Sequence, residues 1–471
     1  MEYLMHPVVS CGSRDARMAK IIVATSASRF HSPVPAGNKL FPAGTNGNIA
    51  WKNRKFMKLG KYSLGIGDRF EREGVAQLAA FQKAASEGAE LVPVWNKSNR
   101  EHTLIGSTPA DTRKAVEEAV KAAGWTGAYH LDADHIGLKT VDRFLPYCDF
   151  YTIDVADFIG HPASDEDAAS VRETLSPLVG RTFPGIGQTG PIDGGMVENF
   201  LSRYALAIRE AGKIHRRIES ERGKGNFIAE VSTDEAETPQ SPVELFLILG
   251  ALAGEGVSVT TIAPKFTGRF NKGVDYVGDV RQFECEFEQD LIALRVAVAE
   301  FGLPAELKIS VHSGSDKFSL YGPIRELLAK HGAGLHLKTA GTNWLEEVIG
   351  LSLAGGSCLE VAKEIYAKAF VRIDELSQPY ATVIDIRRAQ LPDPSVVSGW
   401  DGAALAAALT HDQKDPRFNA SLRQLVHVSF KVAAEMGPVY LDAVDSARAT
   451  ISPCVTNNLF DRHIRPLFLG T

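Results

Sequence analysis

Short apolar runs alternate along the chain with longer segments whose apolar residues recur at helical spacing. The runs have the length of buried β-strands, and eight are predicted: Tyr62–Ile66, Leu91–Trp95, Ala128–Leu131, Phe150–Ile153, Phe227–Val231, Val257–Ile262, Leu307–Val311 and Leu335–Leu337. The spacing between them predicts helices at Val75–Ala85, Thr112–Ala123, Leu201–Ile218, Val243–Ala253, Phe283–Glu300 and Ile324–Lys330. The chain is therefore expected to repeat a strand–helix unit.

Alternating strands and helices imply a parallel sheet, and eight units favour closure into a (β/α)8 TIM-type barrel. Helix signals agree, since Thr108 stands before a Pro and Gly332 follows a basic helix end. An open doubly wound sheet is the competing α/β fold, and it would more naturally carry a nucleotide-binding motif. Gly65 and Gly67 follow the first strand, but Phe70 occupies the place of the third glycine in G-x-G-x-x-G. The barrel is preferred.

The periodic pattern divides the chain into three parts. Residues 1–59 are rich in Ser, Pro, Gly and Asn and are predicted to be a leader or a small cap, with one strand at Lys20–Thr25. Residues 60–358 form the predicted barrel. Residues 359–471 are predicted to be a helical extension packed on it, which either covers the site or contributes to a homo-oligomer contact. Its predicted helices are Val361–Phe370, Leu422–Ala434 and Val439–Ala449.

Composition narrows the possible functions. The 471 residues include 51 basic and 57 acidic side chains, and no dense Lys/Arg run suggests a nucleic-acid partner. The five cysteines are scattered without a C-x-x-C pair, so neither a disulfide framework nor a thiolate zinc site is indicated. No apolar stretch is long enough to span a membrane, and no signal peptide is evident. A cytoplasmic location is expected.

Polar side chains interrupt the pattern at the strand ends, where barrels carry their catalytic groups. In the third unit, alternation points His130, Asp132 and Asp134 to one side, with His135 on the turn beyond. Two carboxylates and a histidine crowded at one strand end are typical of a metal site or an acid–base site.

The same end of the predicted barrel collects further polar groups. Glu230 of the fifth unit and His336 and Lys338 of the eighth are expected to face the interior, and His312 ends the seventh. Acidic residues after the fifth strand, such as Asp234, are more typical of a solvated turn. A single inward histidine is more often structural. The cluster of His135, His312, His336, Asp134 and Glu230 favours function, because buried charges are costly unless they are paired or bound to a metal.

Other polar residues at the strand ends are expected to hold a substrate. Candidates for substrate binding are Asp68, Arg69, Asn96, Lys97, Asp154, Lys265, Lys272, Lys317 and Lys338. Gly314 and Gly341 in the last two loops leave backbone N–H groups available for an anion, so a carboxylate or phosphate is expected there.

Several of these stretches resemble the tagaturonate epimerase family, in order over roughly residues 60 to 350. The matching stretches begin Gly65-Ile66-Gly67-Asp68-Arg69, Asp132-Ala133-Asp134-His135, Tyr151-Thr152-Ile153-Asp154, Glu230-Val231-Ser232, Lys272-Gly273-Val274, His312-Ser313-Gly314 and Lys338-Thr339-Ala340. The resemblance implies a divalent-metal enzyme that interconverts D-tagaturonate and D-fructuronate. It implies that Asp134 is the proton acceptor, Glu230 the proton donor, and His135, His312 and His336 the metal ligands.

The two sugar acids differ at a carbon β to the ketone, where removal of hydrogen as a proton gains no enolate stabilisation. Retro-aldol cleavage with rotation of the aldehyde is therefore preferred, and transient oxidation by a nicotinamide is disfavoured because no dinucleotide motif is present. A metal would polarise the ketone, with one of the two carboxyls taking the proton of the β-hydroxyl. Three neutral histidines suit Zn, Mn, Co or Ni alike.

Three alternatives remain open at this point. Within enzymes they are a metal-dependent aldose–ketose isomerase and a barrel aldolase. Outside enzymes the alternative is a sugar-acid-binding protein, which would not need this cluster. Neutral ketohexoses such as fructose are expected to turn over weakly, because they lose the contacts of the carboxylate.

Overall fold

A computed structural model describes residues 58–187, 190–339 and 342–470 of the chain. The predicted strand at Lys20–Thr25 and Gly341 lie outside these residues, as does nearly all of the predicted N-terminal part.

Eight parallel strands close into a barrel in chain order, which confirms the predicted (β/α)8 fold. The strands are β1 (Tyr62–Ile66), β2 (Leu91–Ser98), β3 (His130–Ile136), β4 (Phe150–Asp154), β5 (Ile228–Ser232), β6 (Thr261–Ala263), β7 (Lys308–His312) and β8 (Leu335–Lys338). The largest deviation from prediction is in β3, which continues through the polar run that was expected to follow it. Its polar side chains point into a barrel interior that can pair them, so polarity does not end the strand.

Helices surround the barrel between consecutive strands. They are α1 (Gly74–Ser86), α2 (Asn99–Ile105), α3 (Pro109–Ala122), α4 (Val141–Phe144), α5 (Asp165–Leu175), α6 (Gly194–Arg222), α7 (Pro242–Gly254), α8 (Val280–Phe301), α9 (Phe318–His331) and α10 (Thr342–Ala354). The Thr108 signal is confirmed, because its hydroxyl and the Asp111 carboxylate form a reciprocal capping box at the start of α3. Gly332 ends α9 in the left-handed conformation that glycine adopts without strain.

The chain continues after α10 in further helices. These are α11 (Gly356–Val371), α12 (Ile373–Ser377), α13 (Pro394–Ser398), α14 (Gly402–Leu409), α15 (Ala420–Val428), α16 (Phe430–Met436), α17 (Pro438–Ser446) and α18 (Arg448–Asn457), followed by a π-helical segment at Asn458–Leu469. The single helix predicted at Leu422–Ala434 is two helices, α15 and α16. They meet at Ser429, whose backbone N–H donates to Val426 in a tighter turn.

Two apolar clusters hold the barrel together. The larger lies between the sheet and the helices, and the smaller fills one interior layer with Leu59, Val94, Phe150 and Ile228. Toward the carboxyl ends of the strands, the interior side chains become polar. Since strands β3, β4, β5 and β8 deliver them there, the sequence that closes the barrel also builds its site.

Close packing joins the C-terminal helices to the barrel. A Cβ on Gly402, at the first turn of α14, would lie 2.1 Å from the carbonyl oxygen of Ser352 in α10. A Cβ on Gly399, only three residues earlier, would meet nothing closer than 3.5 Å.

We expect Gly402→Ala to lower the free energy of unfolding by about 1–3 kcal/mol, because the carbonyl cannot move away without displacing α10. The matched control Gly399→Ala should change it by less than about 0.5 kcal/mol. Urea unfolding of both variants checks this, and equal stabilities would contradict the proposed close contact.

Among the described residues, no helix combines the length and apolar character that crossing a membrane requires.

Candidate active site

One buried ammonium group organises the interior of the barrel near the carboxyl ends of the strands. Lys338 Nζ on β8 lies 2.8 Å from Asp132 Oδ2, 2.9 Å from Asp134 Oδ1 and 3.0 Å from Glu230 Oε1. It also donates to the Thr152 hydroxyl at 2.5 Å. These carboxylates raise the pKa of Lys338 well above its ordinary value although burial acts to lower it, so the lysine stays protonated. A charged lysine shared by three carboxylates is not available as a nucleophilic amine.

The three carboxylates around Lys338 differ in exposure and in pKa. Asp132 is 2% exposed, Glu230 is fully buried and Asp134 is 9% exposed. Burial raises the pKa of Asp132 to about 6. Burial acts in the same direction on Asp134, but Lys338 and His135 outweigh it and lower its pKa to about 2. Asp134 is thus ionised, and it is the most exposed of the three carboxylates.

Glu230 is held by four donors. Thr152 and Thr261 donate to its two oxygens at 3.1 and 2.8 Å, and the carboxylate is further paired with Lys338 and His312. Together the partners lower the pKa of Glu230 well below its ordinary value despite its complete burial. Its oxygens are therefore fixed acceptors on the inner side of His312.

His135 sits where the β3–β4 register shifts between Ala133 and Ile136. Its φ of 52° is in the left-handed region, which a non-glycine residue occupies only at a cost. Bulges of this kind redirect side chains near active sites. Here the imidazole Nδ1 lies 3.1 Å from Asp154 Oδ2, so Asp154 orients a ring that strand alternation alone would not bring to this position.

His312 ends β7 between two carboxylates. Its Nε2 forms a 2.8 Å hydrogen bond with Glu230 Oε1, and its Nδ1 lies 3.1 Å from Asp234 Oδ2. Asp234 was expected to belong to a solvated turn. In the structure it is only half-buried, but its carboxylate is tied to the Ser232 hydroxyl and faces His312. Asp234 is four residues after Glu230, and only the tight turn after β5 brings it back to the site, which explains why the sequence pattern missed it.

The ligand atoms of His135, Asp234 and His312 all lie within 4.8 Å of one another, close enough to hold a metal ion. His336, the third histidine of the predicted ligand set, lies elsewhere. In the β7–β8 register it pairs with Ser310, whereas Lys338 pairs with His312, so His336 is one interior layer deeper. Its Nδ1 forms a 2.9 Å hydrogen bond with Ser63, and burial lowers its pKa to about 3.

Most of the predicted substrate-binding residues are engaged by the protein itself. Asp68 accepts the backbone N–H groups of Arg72 and Glu73 at the start of α1. Lys97 pairs with Glu71 at 2.9 Å, and Lys265 donates to the Ala236 carbonyl.

Three other predicted substrate-binding residues lie at the carboxyl ends of the strands, and they differ in their contacts with the protein. Asn96 is paired in register with Asp132, and its Oδ1 has no partner among the described residues. Arg69 pairs with Glu101 at 2.5 Å. Lys272 follows β6, and its Nζ lies 5.5 Å from the centre of the Tyr380 ring.

Most of the sequence also matches a known protein family. The sequence model for the tagaturonate epimerases, described as "UxaE: tagaturonate epimerase", matches residues 45–436. The chain belongs to the tagaturonate epimerase family. As a member, it is similar to the tagaturonate/fructuronate epimerase of Thermotoga maritima, with 28% identity over 380 residues that cover 78% of this chain and 72% of that protein.

Solved structures of a family member share the fold. Two glycerol complexes of the fructuronate-tagaturonate epimerase UxaE from Cohnella laeviribosi superpose with TM-scores of 0.68 and 0.70. Their sequence identities to this chain are 22% and 23%, and the matches cover 85% and 87% of this chain and 81% of each crystal chain. This chain and the solved family member therefore share the same overall fold.

Proposed function

We propose that this tagaturonate epimerase interconverts D-tagaturonate and D-fructuronate with the help of a divalent cation. The observation that carries the proposal is the pairing of two features at one barrel mouth. An ionised carboxylate, Asp134, lies beside a group of two imidazoles and one carboxylate that can hold a metal. A metal-assisted aldol reaction needs both a base for a hydroxyl proton and a Lewis acid for a ketone.

The proposed metal group is His135, Asp234 and His312, and the hydrogen bonds around it support cation binding. A carboxylate oxygen can only accept, so the ring nitrogens that face Asp154 and Glu230 must carry hydrogen. When both rings are neutral, the lone pairs lie on His135 Nε2 and His312 Nδ1, and His312 Nδ1 is a buried atom without a hydrogen-bond partner among the described residues. A lone pair 3.1 Å from the Asp234 carboxylate is repulsive unless a cation or a proton lies between them.

The charges around the group favour a cation as well. Burial acts to lower the pKa of His312, but Asp234 and Glu230 outweigh it and raise the pKa to about 9. The same negative charge would stabilise a metal ion. Two imidazoles and one carboxylate suit Zn, Mn, Co or Ni, and such an ion would supply polarisation of the substrate ketone.

Protein groups would carry the proton. Asp134 takes the proton of the hydroxyl on the carbon β to the ketone as the neighbouring carbon–carbon bond breaks. This carbon becomes an aldehyde, and the electron pair of the broken bond passes to the ketone fragment as its enolate. Lys338 holds Asp134 and Glu230 within 3.0 Å of one ammonium, so it can donate to either while the other is protonated. The proton returns after the aldehyde has turned its other face and the bond has re-formed. In this scheme Glu230 exchanges the hydroxyl proton of the epimer, as Asp134 does for the other sugar acid.

The reaction is tested by NMR of D-tagaturonate with metal-stripped protein, alone and after addition of Mn, Co, Ni or Zn. We expect metal-dependent appearance of D-fructuronate, without solvent deuterium at the inverted carbon, because that hydrogen never leaves carbon. An aldose as product would indicate an isomerase, and accumulation of three-carbon fragments would indicate an aldolase. No conversion with any metal would contradict the proposed function.

A further inference from the structure

The loop after β6 carries Lys272, and contacts to its backbone hold this loop in place. Lys317 Nζ, from the loop after β7, donates to the carbonyls of Asn271 and Val274 at 3.0 and 2.9 Å. The Ser315 hydroxyl accepts from the Gly273 backbone N–H at 2.8 Å. Lys272 is therefore the centre of a segment clamped from both sides by the loop that follows His312.

The C-terminal helices complete the clamp. Arg423 in α15 donates to the Gly273 carbonyl at 2.6 Å, and the Lys272 backbone N–H donates to Val383 at 2.8 Å. A Cβ on Gly314, two residues after His312, would be 3.9 Å from Lys272 Nζ. The ammonium thus lies beside Gly314, in the loop that follows His312.

Two guanidinium groups lie near this ammonium. Arg100, at the start of α2, and Lys272 lie 5.0 and 5.5 Å from the centre of the same Tyr380 ring. Arg69 packs 3.9 Å from the centre of the Phe430 ring. Burial, and after it Arg100 and Arg69, lowers the pKa of Lys272, as expected where cations crowd together.

Among the described residues, carboxylates pair with only part of the positive charge in this cluster. Arg69 is paired with Glu101, but within the described residues neither Arg100 nor Lys272 forms an ion pair. The Arg69 Nε–H group is buried and has no acceptor there. Lys272 is half-buried and Arg69 is buried, and cations gathered at such positions are costly unless an anion joins them. The cluster is therefore matched to a negatively charged ligand group.

We propose that Lys272 and Arg100, both against Tyr380, together with Arg69 against Phe430, bind the carboxylate of the ketohexuronate and hold the aldehyde fragment during epimerisation. This inference rests on the proposed function. Cleavage next to the inverted carbon leaves the ketone on one three-carbon fragment and the carboxylate on the other. The fragment that must rotate is thus the one that carries the charge. Anchoring it by the carboxylate lets the carbonyl face turn while the fragment stays in the barrel.

The test combines binding and turnover in the metal-loaded full chain. The binding probe is the hexonate obtained by reducing the substrate ketone, titrated by calorimetry beside the corresponding neutral hexitol. We expect Lys272→Met to raise the hexonate Kd and the substrate KM roughly tenfold or more, since a charge-assisted contact is lost. Release of the three-carbon ketone fragment per turnover should rise. Lys272→Arg should recover part of the affinity, and Lys114→Met, on the exposed face of α3, should match wild type.

The outcomes separate the subsite from the reaction. An unchanged hexonate Kd and an unchanged KM in Lys272→Met would overturn the subsite while conversion by the wild type upholds the function. Loss of hexonate binding in Lys272→Met, with no conversion by the wild type, would uphold an anion site and remove the epimerase reaction. If Lys272→Met does not fold, Arg100→Met answers the same question, because this arginine is exposed and its replacement disturbs no core packing.

Discussion

Replacing Asp134 by asparagine is expected to lower kcat for D-tagaturonate by about 10²- to 10⁴-fold, the usual contribution of a positioned general base. Asparagine keeps the shape of the side chain and can still accept a hydrogen bond from Lys338, but it cannot take a proton. KM should change much less, since the carboxylate acts on the reacting hydroxyl. Steady-state kinetics of the metal-loaded variant measures both constants.

Two controls are needed to assign a loss of kcat to the missing base. Metal content must equal that of the wild type, because Asp134 Oδ1 lies 3.8 Å from His135 Nε2 and a lost metal would also abolish turnover. Asp132→Asn is the matched comparison, on the same strand and with the same ammonium contact, but with a carboxylate buried below the mouth. We expect its loss of kcat to be smaller. Asp134→Asn with kcat within tenfold of wild type would remove Asp134 as the base.

The barrel could be predicted from the sequence because its signals are local and repeated. Each strand is a short apolar run, and each helix between strands shows its own period and often its own cap, as at Thr108. Strand alternation also predicted which side chains enter the interior. Glu230 and Lys338 meet inside the barrel at 3.0 Å although more than a hundred residues separate them.

The details of the candidate site could not be read in the same way, because they depend on register and on turns. Alternation places His336 inside the barrel but does not say how deep, and one layer of register separates it from His312. A bulge aims His135, and a tight turn returns Asp234 to the site. Neither feature has a periodic signature in the sequence.

The C-terminal helices illustrate a further limit of the sequence pattern. Their helical period was recognisable, but their contribution to the mouth of the barrel was not. Tyr380 approaches Arg100 and Lys272, and Arg423 binds the Gly273 carbonyl, across separations of more than a hundred residues. Such contacts depend on how complete helices and strands pack. The sequence could therefore predict Arg69 and Lys272 as binding residues, but not that Tyr380 lies beside both Arg100 and Lys272.

The depth of His336 leads to the second large expected effect. Asp234→Asn should reduce metal affinity by more than the roughly 10- to 100-fold that loss of an outer-shell partner costs, because a charged ligand is removed. Activity at limiting metal should fall in parallel. His336→Gln, by contrast, should retain a full metal complement, since its Nδ1 bonds Ser63 and its ring lies one layer below His312. Metal content after dialysis, measured by mass spectrometry, compares the two variants directly.

The comparison distinguishes two ligand sets that the family resemblance and the geometry place in competition. If His336→Gln loses its metal and Asp234→Asn keeps it, the third ligand is a histidine, and the strand β8 must shift by a layer when the ion binds. If Asp234→Asn loses the metal, the site is one of two histidines and a carboxylate. Excess metal should then restore Asp234→Asn in part, because His135 and His312 remain, whereas it cannot restore Asp134→Asn, whose defect lies in proton transfer.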